Sequence, residues 1–198
     1  MSAISNPVPI FADENWRLPS RGRVAMFCLI IGESAIFTIF VVAYIYYIGR
    51  STYGPTPKVL DVPWFNTVCL LSSSISIMLA ERAIDRGRIR AFGAWWAATI
   101  LLGIVFLAGT AIEWRRLIYT DGLSIRTNLF GTTFYSLVGL HATHVIVGLL
   151  MLSLVMTFTL LGRMEQRHAE RIQVLSLYWH FVDAVWVVVF TVVYLLGR

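Results

Sequence analysis

His180 and Asp183 stand three residues apart in YWHFVDAVW, Tyr178 to Trp186, inside a run from Val174 to Leu196 that is otherwise almost wholly apolar. On a helix that spacing puts both side chains on one face, where they can hydrogen-bond or pair. At ~1.5 Å per residue the run is long enough to cross a ~30 Å hydrocarbon core. An ionisable group at mid-bilayer costs at least ~2.5 kcal/mol, so the pair is expected to face protein, headgroups or water. Trp179 and Trp186 flank it on a similar side. A proton relay is the chemistry such residues offer; a polar pair that fixes helix register is the plainer reading.

Glu33 is the second unusual residue. It lies nine residues after Val24, about 13 Å into another apolar run on helical geometry. A carboxyl there must be protonated, paired or next to water. It is either a proton-handling or lipid-contacting group, or a protonated side chain that donates an interhelical hydrogen bond. His141 and His144 form a further pair in FGTTFYSLVGLHATHVIVG. Two histidines on one face can ligate a metal, but metal sites want three or four ligands. The other two histidines, His168 and His180, fall in a loop and in another span, and no cysteine pair or HExxH helix accompanies them. A hydrogen-bonded interhelical pair is therefore expected, with no metal site. Haem ligation is disfavoured likewise, because nothing marks two opposed axial ligands. Ser72, Ser76 and Ala80 repeat at four-residue spacing, the small-residue pattern by which spans pack without a hydrophobic drive. No nucleophile motif surrounds these serines. No catalytic residue is assigned.

Five apolar runs must position these groups: Val24 to Ile48, Pro63 to Ala80, Ala91 to Ile112, Leu129 to Leu161, and Val174 to Leu196. The composition, 58% hydrophobic and 14% charged over 198 residues, excludes an ordinary soluble domain. The expected fold is all-α, a polytopic integral membrane bundle of five transmembrane helices, since only helices suit runs so long and apolar. The fourth run would be near 50 Å if fully helical, and so should tilt or project. Residues 24–198 form the five-helix unit. Residues 1–23 form an N-terminal segment whose first twenty residues, with Pro7, Pro9 and Pro19, read as an irregular lead without a signal-peptide core. Ten arginines (17, 21, 23, 82, 86, 88, 90, 163, 167 and 171) fall on one side, against six Lys or Arg on the other (50, 58, 115, 116, 126 and 198). The positive-inside rule then puts the N-terminus in the cytoplasm and the C-terminus in the periplasm or outside. The net charge of +5 reflects these anchors, and no clustered patch suggests nucleic acid. Cys28 and Cys69 read as small core residues without a disulfide. Trp64, Trp114 and Trp179 read as interface anchors, with Glu113 and its neighbours closing the third span.

Taken in order, five stretches resemble subunit III of the haem-copper cytochrome c oxidases: Gly32-Glu33; NTVCLLSSSISIMLA from Asn66; GIVFLAGTAIEW from Gly103; FYSLVGLHATHVIVGLL from Phe134; and YWHFVDAVW followed by FTVVYLLG. The likeness runs over nearly all of residues 24 to 197 and is closest to the shorter, five-span bacterial form. One departure is Thr110, where the family usually carries Gln, so any role of that glutamine does not transfer. The resemblance implies a multi-pass subunit in the bacterial plasma membrane, part of a proton-pumping oxidoreductase of the aerobic respiratory chain. It implies that this chain binds neither haem nor copper, which belong to partner subunits. It would pack directly on the catalytic subunit I, alongside subunit II and other oxidase subunits. There it would support stability, bind phospholipid, and influence proton uptake and oxygen access. Glu33 is then the carboxyl expected to matter for function, and His141, His144, His180 and Asp183 the polar interior that fixes register or contacts lipid. Similar subunits of a quinol oxidase, or of a nitric-oxide-reductase-associated complex, stay open. Glu33, where quinol-type members often carry Asp, tilts the reading toward cytochrome c. A self-standing proton or ion transporter would be expected to show broken helices or repeated halves, and neither is evident.

Overall fold

The computed structural model describes residues 20–50 and 54–196. Residues 1–19, with Arg17 and nearly all of the N-terminal segment, residues 51–53, and residues 197–198, with Arg198, lie outside that description, and so do the expectations placed on them. Five α-helices follow in order: α1 Arg21–Tyr47, α2 Trp64–Asp85, α3 Ile89–Tyr119, α4 Leu129–Leu160 and α5 Ala169–Phe190. A π-helical turn, Thr191–Leu196, continues α5. All five are long and apolar enough to cross a membrane, α5 counted together with the turns at its two ends. A backbone in hydrocarbon must satisfy its own N–H and C=O groups, and the helix does that within one segment.

The ends of the helices are set by local chemistry that hydropathy does not report. Asn128 caps α4 by accepting the Gly131 N–H at 2.8 Å, and Ser20 caps α1 by accepting the Arg23 N–H at 3.4 Å. α2 and α4 both stop at a left-handed glycine, Gly87 (φ 68°) and Gly162 (φ 67°). In each case the two residues after the cap bond back to the last turn: Gly87 to Ile84 and Arg88 to Ala83, Gly162 to Thr159 and Arg163 to Phe158. Several helices outrun their apolar runs. α2 continues past Ala80 to Asp85, α3 past Ile112 to Tyr119, and α5 begins at Ala169 rather than Val174. Charge ends a hydrophobic stretch, but an exposed charged side chain does not end a helix.

Helix contacts close a ring, α2 to α3 to α4 to α1 to α5 and back to α2, with α5 also touching α4 across it. α5 and α2 are the inner members, half buried over their apolar windows, whereas the α1 window is 6% buried. The seam of α2 is lined by Ser73, Ser76, Ile77 and Ala80. The small-residue stripe therefore passes through Ser73; Ser72 is only half buried, while Ser76 and Ala80 sit where expected. Cys28 is exposed on α1 and Cys69 half buried on α2, so neither is a core residue, and both are free thiols.

Trp179 is the centre of the core and not an interface anchor: it is 1% exposed. Glycines on two helices make room for its ring. A Cβ on Gly103 would stand 3.0 Å from it, and one on Gly148 2.8 Å. Trp114 also turns inward, packing edge-on to Tyr135 at 5.3 Å between ring centres. Of the three expected anchors, Trp64, exposed at the start of α2, keeps that look.

Gly148→Leu should therefore push Trp179 off its seat and destabilise the bundle by about 1–3 kcal/mol, the usual penalty for overpacking. Heat-induced loss of the folded chain in detergent measures this; an unchanged midpoint would show that α4 can step away from α5.

Candidate functional site

Two polar centres lie inside the bundle, one on each side of α5. The first joins α1 to α4. Glu33 Oε2 is 3.1 Å from His144 Nε2, with the two side chains 25% and 14% exposed. The other ring nitrogen, Nδ1, lies 2.8 Å from the Leu140 carbonyl one turn back. A carbonyl only accepts, so Nδ1 carries a hydrogen, and Nε2 must share whatever proton lies between it and the carboxyl. Either a neutral acid donates to a neutral imidazole, or a carboxylate accepts from an imidazolium. Both forms have no net charge, which is what an intramembrane site requires. Phe37 packs 5.0 Å from the His144 ring, and the Tyr178 hydroxyl donates to the His144 carbonyl at 3.3 Å. A groove of about 320 Å³ runs along α1 and α5 past Ser34, Phe37, Thr38, Phe181 and Val185.

The second centre joins α5 to α2. The Ser74 hydroxyl donates to Asp183 Oδ2 and lies 3.1 Å from His180 Nδ1. The expected His180–Asp183 pair is thus a triad with a serine between its members; among the described residues no salt bridge joins the two directly. Beside it, Trp179 Nε1 donates to Ser73 Oγ at 2.8 Å, and Trp186 Nε1 to Thr67 Oγ1 at 3.2 Å. Ser76 extends the network to α3 through Thr99 at 2.8 Å. Each of these bonds replaces water that the bilayer does not supply.

His141 departs from expectation. It is fully buried, and neither ring nitrogen has a hydrogen-bond partner. Trp186, Phe106 and Phe37 surround it, with ring centres 5.0, 5.8 and 6.5 Å away. The two histidines of α4 therefore separate, His144 going to Glu33 and His141 into an aromatic cage. The spacing argument placed them on one face correctly, but 100° per residue leaves them about 60° apart, enough to meet different helices. Thr110, the departure from the family pattern, is buried and bonds only its own helix, at the Phe106 carbonyl.

Glu113, expected to close the third span at the interface, instead bonds inward to the end of α5. Its carboxylate accepts from the Tyr194 hydroxyl at 3.1 and 3.2 Å, and Tyr194 is 1% exposed. The neighbouring Arg116 binds the loop before α2, through the Asp61 carboxylate and the Val59 carbonyl. The signal available was the tyrosine of FTVVYLLG, an unusual residue to bury so near the end of a span. Among the described residues, no three His, Cys, Asp or Glu side chains gather closely enough to hold a metal ion.

Residues 22–198 match a family model described as cytochrome c oxidase subunit III. The chain is 32% identical over 198 residues to "Cytochrome c oxidase subunit 3" of Thermostichus vulcanus, covering 98% of this chain and 96% of that one. It is 32% identical over 193 residues to the protein of the same name from Bacillus sp. strain PS3, with coverage of 96% and 93%. Against that of Alkalihalophilus pseudofirmus it is 34% identical over 169 residues, covering 84% and 82%.

Removing the bridge of the second centre should cost more than a surface change. Ser74→Ala leaves the Asp183 carboxyl, 3% exposed, without its donor, an expected loss of about 1–3 kcal/mol. Asp183→Leu should also lower the yield of folded protein, by taking from Ser74 its carboxylate acceptor, whereas Asp183→Asn keeps an acceptor for Ser74 and should lose less. Equal thermal midpoints for wild type and Ser74→Ala would show that Asp183 finds another donor.

Proposed function

The chain belongs to the cytochrome c oxidase subunit III family, and on that premise we propose how it serves a haem-copper oxidase. As a membrane subunit of such a complex it works with other subunits. It packs directly on subunit I, with subunit II and the remaining subunits nearby, and leaves the haem and copper to those chains. Its contribution to the reduction of oxygen is to support subunit I, to bind phospholipid, and to bear on proton uptake and oxygen access. The relatives are named for cytochrome c oxidase, which supports cytochrome c rather than quinol as the electron donor of the complex.

The observation that carries this reading is the Glu33–His144 contact. Two ionisable groups sharing one proton form a site that exists at no net charge and changes charge when one proton is added or removed. That is a means of holding a proton inside the membrane, and it stands beside a groove open to acyl chains. The Ser74, His180 and Asp183 cluster is more enclosed, and its role is to fix the register of α5 against α2. His141, caged by aromatic rings, is part of the same structural interior.

The topology belongs to this proposal too. The start of α1, the end of α2, the start of α3, the end of α4 and the start of α5 form the arginine-rich end. There Arg23 bonds Gln173, and Gln166 donates to the Asp85 carbonyl at 2.6 Å. The positive-inside rule makes that end cytoplasmic.

Three measurements test the reading. The purified complex should contain this chain together with chains bearing haem; a protein that is stable and active alone in liposomes would overturn it. Glu33→Ala should leave haem content intact and shorten the working lifetime of the enzyme, or lower its proton-coupled turnover, severalfold. His144→Ala should do the same, and the double variant should be no worse than either single one. Normal turnover and durability in Glu33→Ala would reduce the contact to packing. With Cys28 and Cys69 replaced by alanine, single cysteines placed at Arg167 and at Asp121 should label from the cytoplasmic and the opposite side respectively; the reverse pattern would invert the topology.

A further inference from the structure

Four polar residues of α5, Gln173, Ser176, His180 and Asp183, recur at helical spacing and so share one face. Asp85, Glu81 and Ser74 of α2 meet them in three steps. At the arginine-rich end, Gln173 Nε2 donates to Asp85 Oδ1 at 3.5 Å, and the Gln173 side-chain oxygen accepts from Arg23. Next, Ser176 lies against the Glu81 carboxyl. Deepest, Ser74 joins His180 to Asp183. Exposure falls along the same line: Asp85 is exposed, Glu81 half-buried, and Asp183 3% exposed. A seam built for register alone would close its polar atoms in pairs. Here Ser176 Oγ and Asp183 Oδ1 are buried without a hydrogen-bond partner, a cost that packing does not require.

The deepest step can take up a proton without breaking a contact. A serine hydroxyl has one hydrogen. When Ser74 gives it to Asp183 Oδ2, the serine oxygen accepts from His180 Nδ1. With a neutral ring Nε2 is then bare, and the cluster carries the charge of the carboxylate. A proton added at Nε2 lets the ring release its Nδ1 proton to Ser74 Oγ, which passes its own to Asp183 Oδ2. The ring ends neutral, with its hydrogen on the other nitrogen, and Asp183 ends as a neutral acid. Both contacts persist with donor and acceptor exchanged. The loaded form has no net charge, which hydrocarbon favours. From Ser176 to His180 is one turn, about 6 Å of rise, a gap that one water bridges. The other ionisable groups on helices around α5 are engaged elsewhere, Glu33 with His144 and Glu113 with Tyr194.

We propose that the α2–α5 seam is a proton-entry track that loads Asp183 from the arginine-rich end. Glu81 collects the proton from water, Ser176 hands it inward, and His180 and Ser74 relay it to the Asp183 carboxylate. The track is separate from Glu33 and His144. It adds a second duty to residues that also fix the register of α5, and it accounts for the unbonded Ser176 hydroxyl.

The test is infrared spectroscopy of the intact complex, transferred from water to heavy water. Wild type should show a carboxylic-acid C=O band that D183N removes, and the band should shift as the acid proton exchanges for deuterium. H180Q keeps a group that can bond Ser74 but cannot pass a proton through a ring. It should retain the band and slow its shift at least severalfold. E81Q and S176A should slow the shift severalfold as well, whereas S74T, which keeps the hydroxyl, should stay near wild type. E165Q removes an acid from the same end outside the seam, and should match wild type. A cluster that only fixes register would exchange at one rate in wild type, H180Q and E81Q, and that result would overturn the proposal. So would a spectrum in which D183N removes no acid band. An unchanged rate in E81Q alone would overturn entry from the arginine-rich end.

Discussion

The hydroxyls of Ser73 and Ser74 are the junction on which the bundle depends. In hydrocarbon an indole N–H, an imidazole and a carboxyl have no water to turn to, and all three project from one stretch of α5. Two adjacent serines of α2 meet them all: Ser73 takes the Trp179 indole, and Ser74 takes Asp183 and His180. Slide α5 by one residue and every one of these bonds is lost together, along with the glycine seat of Trp179 on Gly103 and Gly148. Apolar packing between helices and lipid tails differs little in energy from one register to the next. The polar junction does differ, and so it sets the register.

Much of the architecture was legible because the bilayer imposes it. Blocks of apolar residues longer than the hydrocarbon thickness have one stable conformation, and the five runs became five helices with their centres where hydropathy put them. The ends were less legible, since Asn128, Gly87 and Gly162 act through individual hydrogen bonds and backbone angles that no window average contains. The polar residues were legible as unusual and not as partners. Spacing along one helix says which residues share a face, but nothing about what the opposite helix offers. His180 and Asp183 were expected to meet each other and instead meet Ser74. His141 was expected to hydrogen-bond and is caged by rings. Glu33 was expected to need a partner, and its partner, His144, lay 111 residues away in sequence.

The two centres divide labour by burial. The Ser74 cluster is bonded to its neighbours within the α2–α5 seam, so a change of protonation there would disturb several contacts at once. Glu33 and His144 sit nearer the outside, partly exposed, with only one contact between them and a back-bond from the imidazole to its own helix. Rotation of Glu33 away from His144 breaks one bond and leaves the bundle standing. A fold that keeps its bonded polar cluster inside and a loosely tethered acid–base pair at the margin can break the marginal contact without loosening the core.

The π turn at Thr191–Leu196 has a consequence for how this protein can vary over time. A π turn spreads the backbone over more residues than an α turn, and here it brings Tyr194 onto Glu113. Exchanging one apolar side chain for another in this turn leaves the path of the chain alone. Losing one residue there while the backbone returns to α winding leaves the phase nearly unchanged, because a π turn holds about one residue more than an α turn. Descendants of this sequence can thus shed the extra residue and still bring a tyrosine toward Glu113, so this turn should tolerate a one-residue deletion better than the α-helical stretches, where the same loss rotates the chain by about 100°.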